Sequence, residues 1–333
     1  MRERKPYWRD VPQDLRLAIE AIMESPVARG HRVFGGYGPS ATFRIRLADG
    51  RTLFAKGAGK GSNEVNWRVV PTEEEAYRGL ASIQPIAPTF FGSVTADGWH
   101  LLLLEDLSRA ARVPPWTEEL ALGAMRDIAA FHLRSMRERG KVRRLDPDGM
   151  TDNWRGLRED PVRRGWFLGL YGGRRQEAGA WLEEGIERLA GAEARLLDAN
   201  QPWSVIHTDI RSDNLRFRRG ALVLFDWALV CEGPCILDLY AFLPSLVAEG
   251  GPEAPRLLPA YRAAMAAGGA AIPGVAEQAA ASAVAGYFAM RAGQPPIPGL
   301  PRLREVQRMQ LATALDLAAV SLGLPLPPRL PAP

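Results

Sequence analysis

The segment Val205-Ile-His-Thr-Asp-Ile-Arg-Ser-Asp-Asn-Leu215 constrains this chain more than any other. His207, Asp209 and Asn214 fall in it as H-x-D-x-x-x-x-N, and Phe225-Asp226-Trp227 follows at the end of the apolar run Leu222-Val-Leu-Phe225. Strand patterns at 203–206, 215–217 and 221–225 enclose the polar residues. The pattern therefore predicts a polar loop between two strands, then a hairpin with Asp226 at its exit. A lone loop carboxylate usually caps a turn. Three polar groups at this spacing, framed by strands, call for a chemical reason.

That reason is supplied by phosphoryl transfer. Magnesium takes hard oxygen ligands, which the Asn214 amide and the Asp226 carboxylate provide. Asp209 remains available to accept the proton of an attacking hydroxyl. Arg211, two residues on, carries a guanidinium able to bond two phosphoryl oxygens at once, or to orient Asp209. Its plain alternative is a salt bridge to a neighbour such as Asp213. A phosphate cation is expected upstream, and Lys56 in the strand 51–58 supplies it. The chain has only four lysines, Lys5, Lys56, Lys60 and Lys141, among 42 basic residues, so a lysine here is a scarce choice. Its carboxylate partner is expected on the following helix. Glu73, Ala76, Tyr77, Leu80 and Ile83 share one helical face, so Glu73 points inward. Glu74 is off that face, and Glu75 is the alternative. Phe34-Gly-Gly-Tyr-Gly-Pro-Ser-Ala41 precedes Lys56 by one hairpin. Alone it reads as a flexible turn. In this position Gly36, Gly38 and Ser40 mark a loop whose backbone N–H groups cover phosphates.

The hydrophobic periods give the rest of the organisation. A helix is expected at 12–24, strands at 42–47 and 51–58 across an Asp-Gly turn, and a helix at 71–83 with Thr72 as N-cap and three acids in its first turn. A second hairpin follows at 90–95 and 99–105 around Asp97-Gly98. Long helices are expected at 117–139 and 176–198, then at 235–249, 253–267, 274–291 and 302–322. His132 lies on the apolar stripe of the first of these, with Met125, Ile128 and Ala129, and reads as structural. The tail from Pro325 is polyproline-like and is expected to be loosely attached. The chain thus divides into a β-rich lobe at 1–105, a helical lobe at 106–325 and a Pro-rich tail at 326–333.

Composition removes several alternatives. The formal charge of the 333 residues is only +4, and no run of basic residues exists beyond short Arg pairs, so no nucleic-acid-binding tail is expected. No run of about 18 apolar residues occurs; the Ala-rich stretch 260–292 is broken by Pro273, Glu277 and Gln278. Cys231 and Cys235 cannot build a disulfide framework, and four scattered histidines spell out no zinc site. With no apolar run behind Met1-Arg-Glu-Arg-Lys5, the expectation is a cytoplasmic, reduced protein with no membrane partner, whose metal arrives with its substrate.

Together these parts resemble the aminoglycoside phosphotransferase-like family, also called the phosphotransferase enzyme family. The resemblance runs from the Gly-rich loop to about Leu322. It implies an α+β, bilobal, protein-kinase-like fold and a kinase that uses ATP, with GTP as the alternative, and Mg²⁺. It implies further that 102–107 is the hinge strand, that the backbone of Glu105 and Leu107 binds adenine, and that Asp238 is a structural anchor. A protein kinase is the less favoured reading. Only eleven residues separate Asp226 from Asp238, no A-P-E follows, and Trp227 replaces Phe-Gly. A nucleotide-binding pseudokinase is the other alternative, against which Lys56, Asp209, Asn214 and Asp226 are all present. The expected acceptor is a hydroxylated small molecule, an antibiotic or a sugar or amino-alcohol metabolite. In the family the acceptor is held by a helical insert and the C-terminal helices. The insert here, 134–175, has eleven arginines and one lysine against six acids, which disfavours a polycationic aminoglycoside. Asp152-Asn153-Trp154 is a candidate contact for a sugar-like ring.

Overall fold

Alternation of apolar and polar residues builds the first sheet. The structure, a computed structural model, describes residues 5–34, 40–60, 62–198, 200–297 and 303–331. It divides into two compact units: 1–112 with 213–230, and 113–212 with 231–333. This grouping differs from lobes split at 105, because the hairpin carrying Asn214 and Asp226 joins the first unit.

The first unit opens with α1 (Gln13–Met23), then β1 (Val27–Arg32), β2 (Ala41–Leu47), β3 (Thr52–Ala58), α2 (Glu64–Gly79), β4 (Phe90–Ala96) and β5 (Trp99–Glu105). The strands form one antiparallel sheet in the order β1-β2-β3-β5-β4. Phe43, Ile45, Leu53, Leu101 and Leu103 point to one face, where Leu15 and Ile19 of α1 cover them. Each such side chain taken fully from water contributes about 1.5–3 kcal/mol. The opposite face carries Lys56, paired in register with Leu102, and α2 packs on it. β3 and β5 run close there. A Cβ on Gly57 would meet the His100 carbonyl oxygen at 1.9 Å, so only glycine fits after Lys56. Asp97 and Gly98 both have positive φ, as a tight hairpin turn needs.

Two features of this unit differ from the sequence expectation. α2 begins at Glu64, not at 71, because the Asn63 side chain accepts a bond from Asn66 N and caps it there. Thr72 is not a cap: Pro71 lies inside the helix, and the three glutamates sit beyond its first turns. β1 fills the place of the strand candidate before the Gly-rich segment, although Val-Ala-Arg-Gly-His-Arg lacks clean alternation.

The chain continues into the second unit with α3 (Glu118–Ser135), α4 (Asn153–Glu159), α5 (Pro161–Gly169), α6 (Arg175–Glu193) and β6 (Trp203–Ile206). It re-enters the first unit for the hairpin β7 (Leu215–Arg218) and β8 (Ala221–Leu224). It then returns for β9 (Cys231–Pro234), α7 (Cys235–Ala248), α8 (Ala254–Ala267), α9 (Gly274–Ala289) and α10 (Leu303–Leu322). β9 pairs antiparallel with β6. α9 is apolar on nearly every side because α6, α7 and α10 all pack on it. Among the described residues no helix is long and apolar enough to cross a membrane.

The tail is docked, which corrects the loose attachment expected of it. Trp181 Nε1 donates to the Pro325 carbonyl at 2.8 Å, Leu324 is buried beside Gly185, and Arg329 pairs with Asp316 at 3.0 Å. Proline-rich composition sets backbone stiffness; it does not decide whether a groove receives it.

Candidate active site

In the first unit, the β3 register turns Lys56 toward α2, and the helical face places Glu73 opposite it. Lys56 Nζ lies 2.8 Å from Glu73 Oε2 and 2.6 Å from Asp226 Oδ1. Burial opposes the lysine charge, but the two carboxylates more than offset this and hold its pKa above the ordinary value. Burial pushes the Glu73 carboxyl up, Asp226 adds to that, and Lys56 opposes it. Glu73 is 1% exposed, whereas Glu75 is exposed. Glu74 faces elsewhere, bonding Arg78, Ser93 and His100. Of the three consecutive glutamates, the inward one pairs with the lysine.

The β7–β8 hairpin sets the oxygen donors. Leu215 pairs with Leu224, so Asn214 and Phe225 flank the same end, and Phe225 N donates to the Asn214 carbonyl at 3.0 Å. Asp226 follows immediately, in the left-handed region at φ 68°. That conformation costs a non-glycine residue of order 1 kcal/mol and re-aims its carboxylate out of the strand. Trp227 is fully buried, and its indole N–H donates to the Leu224 carbonyl at 3.0 Å. The 3₁₀ turn it opens packs on α2, the helix that carries Glu73. Among the described residues no group of three or more His, Cys, Asp or Glu gathers as a metal cage. Asn214 and Asp226 fit a different kind of site, in which two hard oxygen donors share a magnesium ion with phosphates and water.

In the second unit, the loop after β6 hangs on Asp238. Its carboxylate accepts the backbone N–H groups of His207 and Thr208, each at 2.7 Å, and lies 3.2 Å from His132 Nε2. Both side chains of that last pair are fully buried, and His132 Nδ1 meets the Tyr261 hydroxyl at 2.8 Å. His132 is structural, as its stripe predicts. Thr208 has φ 69°, a strained turn held by its bond to Asp238 and delivering the chain to Asp209. Asp209 N donates to His207 Nδ1 at 3.2 Å, and Arg211 Nε lies 3.1 Å from Asp209 Oδ1. Glu249 fixes the far end of the loop, accepting from the Ser212 hydroxyl and from Trp116 Nε1. Sequence reasoning missed Glu249, since nothing in its local pattern points to a partner 37 residues away.

The remaining expected residues fare differently. Gly36 and Gly38 lie outside the described residues. Ser40 is described, half-buried just before β2. The Glu105 N–H already donates to the Thr89 carbonyl, so a base contact from Glu105 would have to use its carbonyl. Leu107 opens a short 3₁₀ turn. Trp154 is not a ligand contact: it is fully buried, and its indole N–H bonds the Ser282 carbonyl at 2.9 Å.

The sequence model of the phosphotransferase enzyme family matches residues 70–278. The chain belongs to that family. Its family is accordingly that of phosphotransferases. No curated protein matches it. Solved structures share its fold. An AMP complex of spectinomycin phosphotransferase superposes with a TM-score of 0.58 at 12% identity, covering 93% of this chain and 97% of the other. A choline/ethanolamine kinase family protein from Mesorhizobium loti gives 0.55 at 17% identity, covering 93% and 97%. Amicoumacin kinase, solved in complex with AMP-PNP, Ca²⁺ and Ami, gives 0.56 at 10% identity, covering 92% and 94%. The expected α+β architecture, a β-rich unit and a mostly helical one, is the fold of this group.

Proposed function

We propose that the protein transfers the terminal phosphoryl group of ATP to a hydroxyl of a small molecule. The observation that carries this reading is Lys56 held between Glu73 and Asp226. An ammonium ion gripped by two carboxylates is pre-positioned to bind phosphate oxygens, and its raised pKa keeps it charged. Asn214 and Asp226 would hold magnesium, which supplies neutralisation of the charge on the phosphates. The hinge backbone at Glu105 and Leu107 and the loop of Gly36, Gly38 and Ser40 would receive the nucleotide. GTP is the alternative donor, because backbone contacts discriminate bases weakly. Asp209 accepts the proton leaving the acceptor hydroxyl, and Arg211 orients that carboxylate or steadies the transferring group. The named substrates of the solved relatives are small molecules, which favours such an acceptor over a protein. Two free, buried cysteines suit a reducing compartment, so we assign the reaction to the cytoplasm.

Two measurements test the reading. Calorimetry should detect ATP binding that depends on magnesium. A screen of hydroxylated compounds should find one that gains the mass of one phosphate while ATP becomes ADP. Nucleotide binding without any turnover across such a screen would favour a pseudokinase; no binding at all would remove the proposal.

A further inference from the structure

The second unit contains a cavity of about 450 Å³ between α4, α9 and the start of α10. That is the size of a small-metabolite site. Three arginines line it, Arg163, Arg291 and Arg304, against a single acid, Asp152. Asp152 is paired with Arg155 at 3.1 Å, and Arg163 with Asp160 at 3.2 Å. Arg291 and Arg304 are different. Among the described residues neither has a carboxylate within salt-bridge distance, and both are held by neutral oxygens.

Arg304 is 8% exposed. Its Nη1 donates to Gln307 Oε1 and its Nη2 to Gln294 Oε1, both at 2.8 Å, and its Nε to the Pro295 carbonyl at 3.3 Å. Gln294 is itself fixed by a bond to the Met290 carbonyl at 2.7 Å, which aims its oxygen at the guanidinium. Arg291 donates to Asn153 Oδ1 and to the Tyr287 carbonyl, each at 3.1 Å, and its guanidinium lies 4.0 Å over the Tyr287 ring. Burying a guanidinium without a counter-charge is costly. Neutral acceptors satisfy its geometry but leave its charge uncompensated. Burial, together with the neighbouring Arg304 and Arg163, lowers the Arg291 pKa. Glu193 is the acid nearest in effect, but it bonds Asn153 and Trp154 instead, and burial pushes its carboxyl up to about 7.

We propose that this cavity binds the anionic group, a carboxylate or phosphate, of a small organic molecule, between Arg291 and Arg304. The two planar forks offer the bidentate geometry such groups take, and an anion there supplies the counter-charge that the described protein does not. The proposal concerns the cavity alone and does not depend on the roles assigned to Lys56 or Asp209.

The test uses the full chain, with inorganic phosphate and citrate as probes, titrated by calorimetry with Mg-AMP-PNP present to occupy the nucleotide site. The expected result is anion binding that weakens with salt, falls at least ~10-fold in Arg291→Gln and in Arg304→Gln, and tightens in Asp152→Asn. Arg304 also ties the start of α10 to the stretch 294–295, so circular dichroism checks that its variant is folded, and Arg291→Gln carries the test if it is not. An acidic hydroxylated compound phosphorylated with a raised KM in Arg291→Gln at unchanged kcat would support the proposal and make the acceptor the source of the anion. Phosphate binding lost in the variants while every acceptor's KM stays constant would support it with a separate effector as the source. Wild-type protein that binds neither probe, or variants that bind as wild type does, would overturn it. Mg-AMP-PNP binding on the same samples reports separately on the nucleotide site.

Discussion

Arg211 Nε lies 3.1 Å from Asp209 Oδ1, and the role proposed for it is to orient that carboxylate or to steady the transferring group. A group that acts only in the transition state lowers kcat and spares nucleotide affinity. Arg211→Ala should therefore reduce kcat at least ~10-fold, a barrier change of about 1.4 kcal/mol, with nucleotide Kd unchanged. Asp209→Ala should reduce kcat by about 10²–10⁴-fold, the usual range for a general base, again with nucleotide binding intact by calorimetry. Variants that retain full kcat would reassign both residues. Lys56, Glu73 and Asp226 were legible in the sequence because strand register and helical period dictate where they point. The loop's supports were only partly so. Asp238 came from the resemblance, and Glu249 from nothing, because long-range hydrogen bonds leave no local period. Asp238 holds two backbone N–H groups that an asparagine oxygen and amide cannot both accept. Asp238→Asn should cost about 3 kcal/mol or more in urea unfolding.

At the scale of elements, α2 shows what local signals miss. Proline before a run of acids is a strong helix start, and that signal places the helix start at 71. An earlier cap at Asn63 prevails, and Pro71 is carried inside. Asn63→Ala should cost about 1 kcal/mol by chemical denaturation, since it strands a first-turn N–H; no change would mean that solvent serves that end equally well. α4 and α5 also escaped, because seven and nine residues give too few turns for a period to emerge. α6 is tied to α4 through Glu193, whose carboxyl is pushed by burial from an ordinary 4.5 to about 7. Between those values the folded chain holds more protons than the unfolded one, so stability falls as pH rises through that window. The full loss is about 3 kcal/mol. Urea unfolding at pH 5 and pH 8 should show it in the wild type. Glu193→Gln, neutral throughout, should lack this part of the slope.

For the whole molecule, the order and type of the main elements were legible, since each long segment has a clear period of two or of 3.6. What covers what was not. The tail illustrates this: its groove on α6 and α10 exists only once those helices pack. Deleting 324–333 should cost about 2–4 kcal/mol, from Leu324 burial and the Trp181 bond. An unfolding curve identical to the full chain's would contradict the docking. The scarcity of lysine has a practical side. Lys5 is buried against Thr42, and Lys56 is clamped between two carboxylates that keep its amine protonated and non-nucleophilic. Lys60 and Lys141 are exposed. Amine-reactive esters at neutral pH should thus tag Lys60 and Lys141 and pass over Lys56, as peptide mass mapping would record. Dyes, biotin or a sensor surface can then be attached through side-chain amines with Lys56 left unmodified.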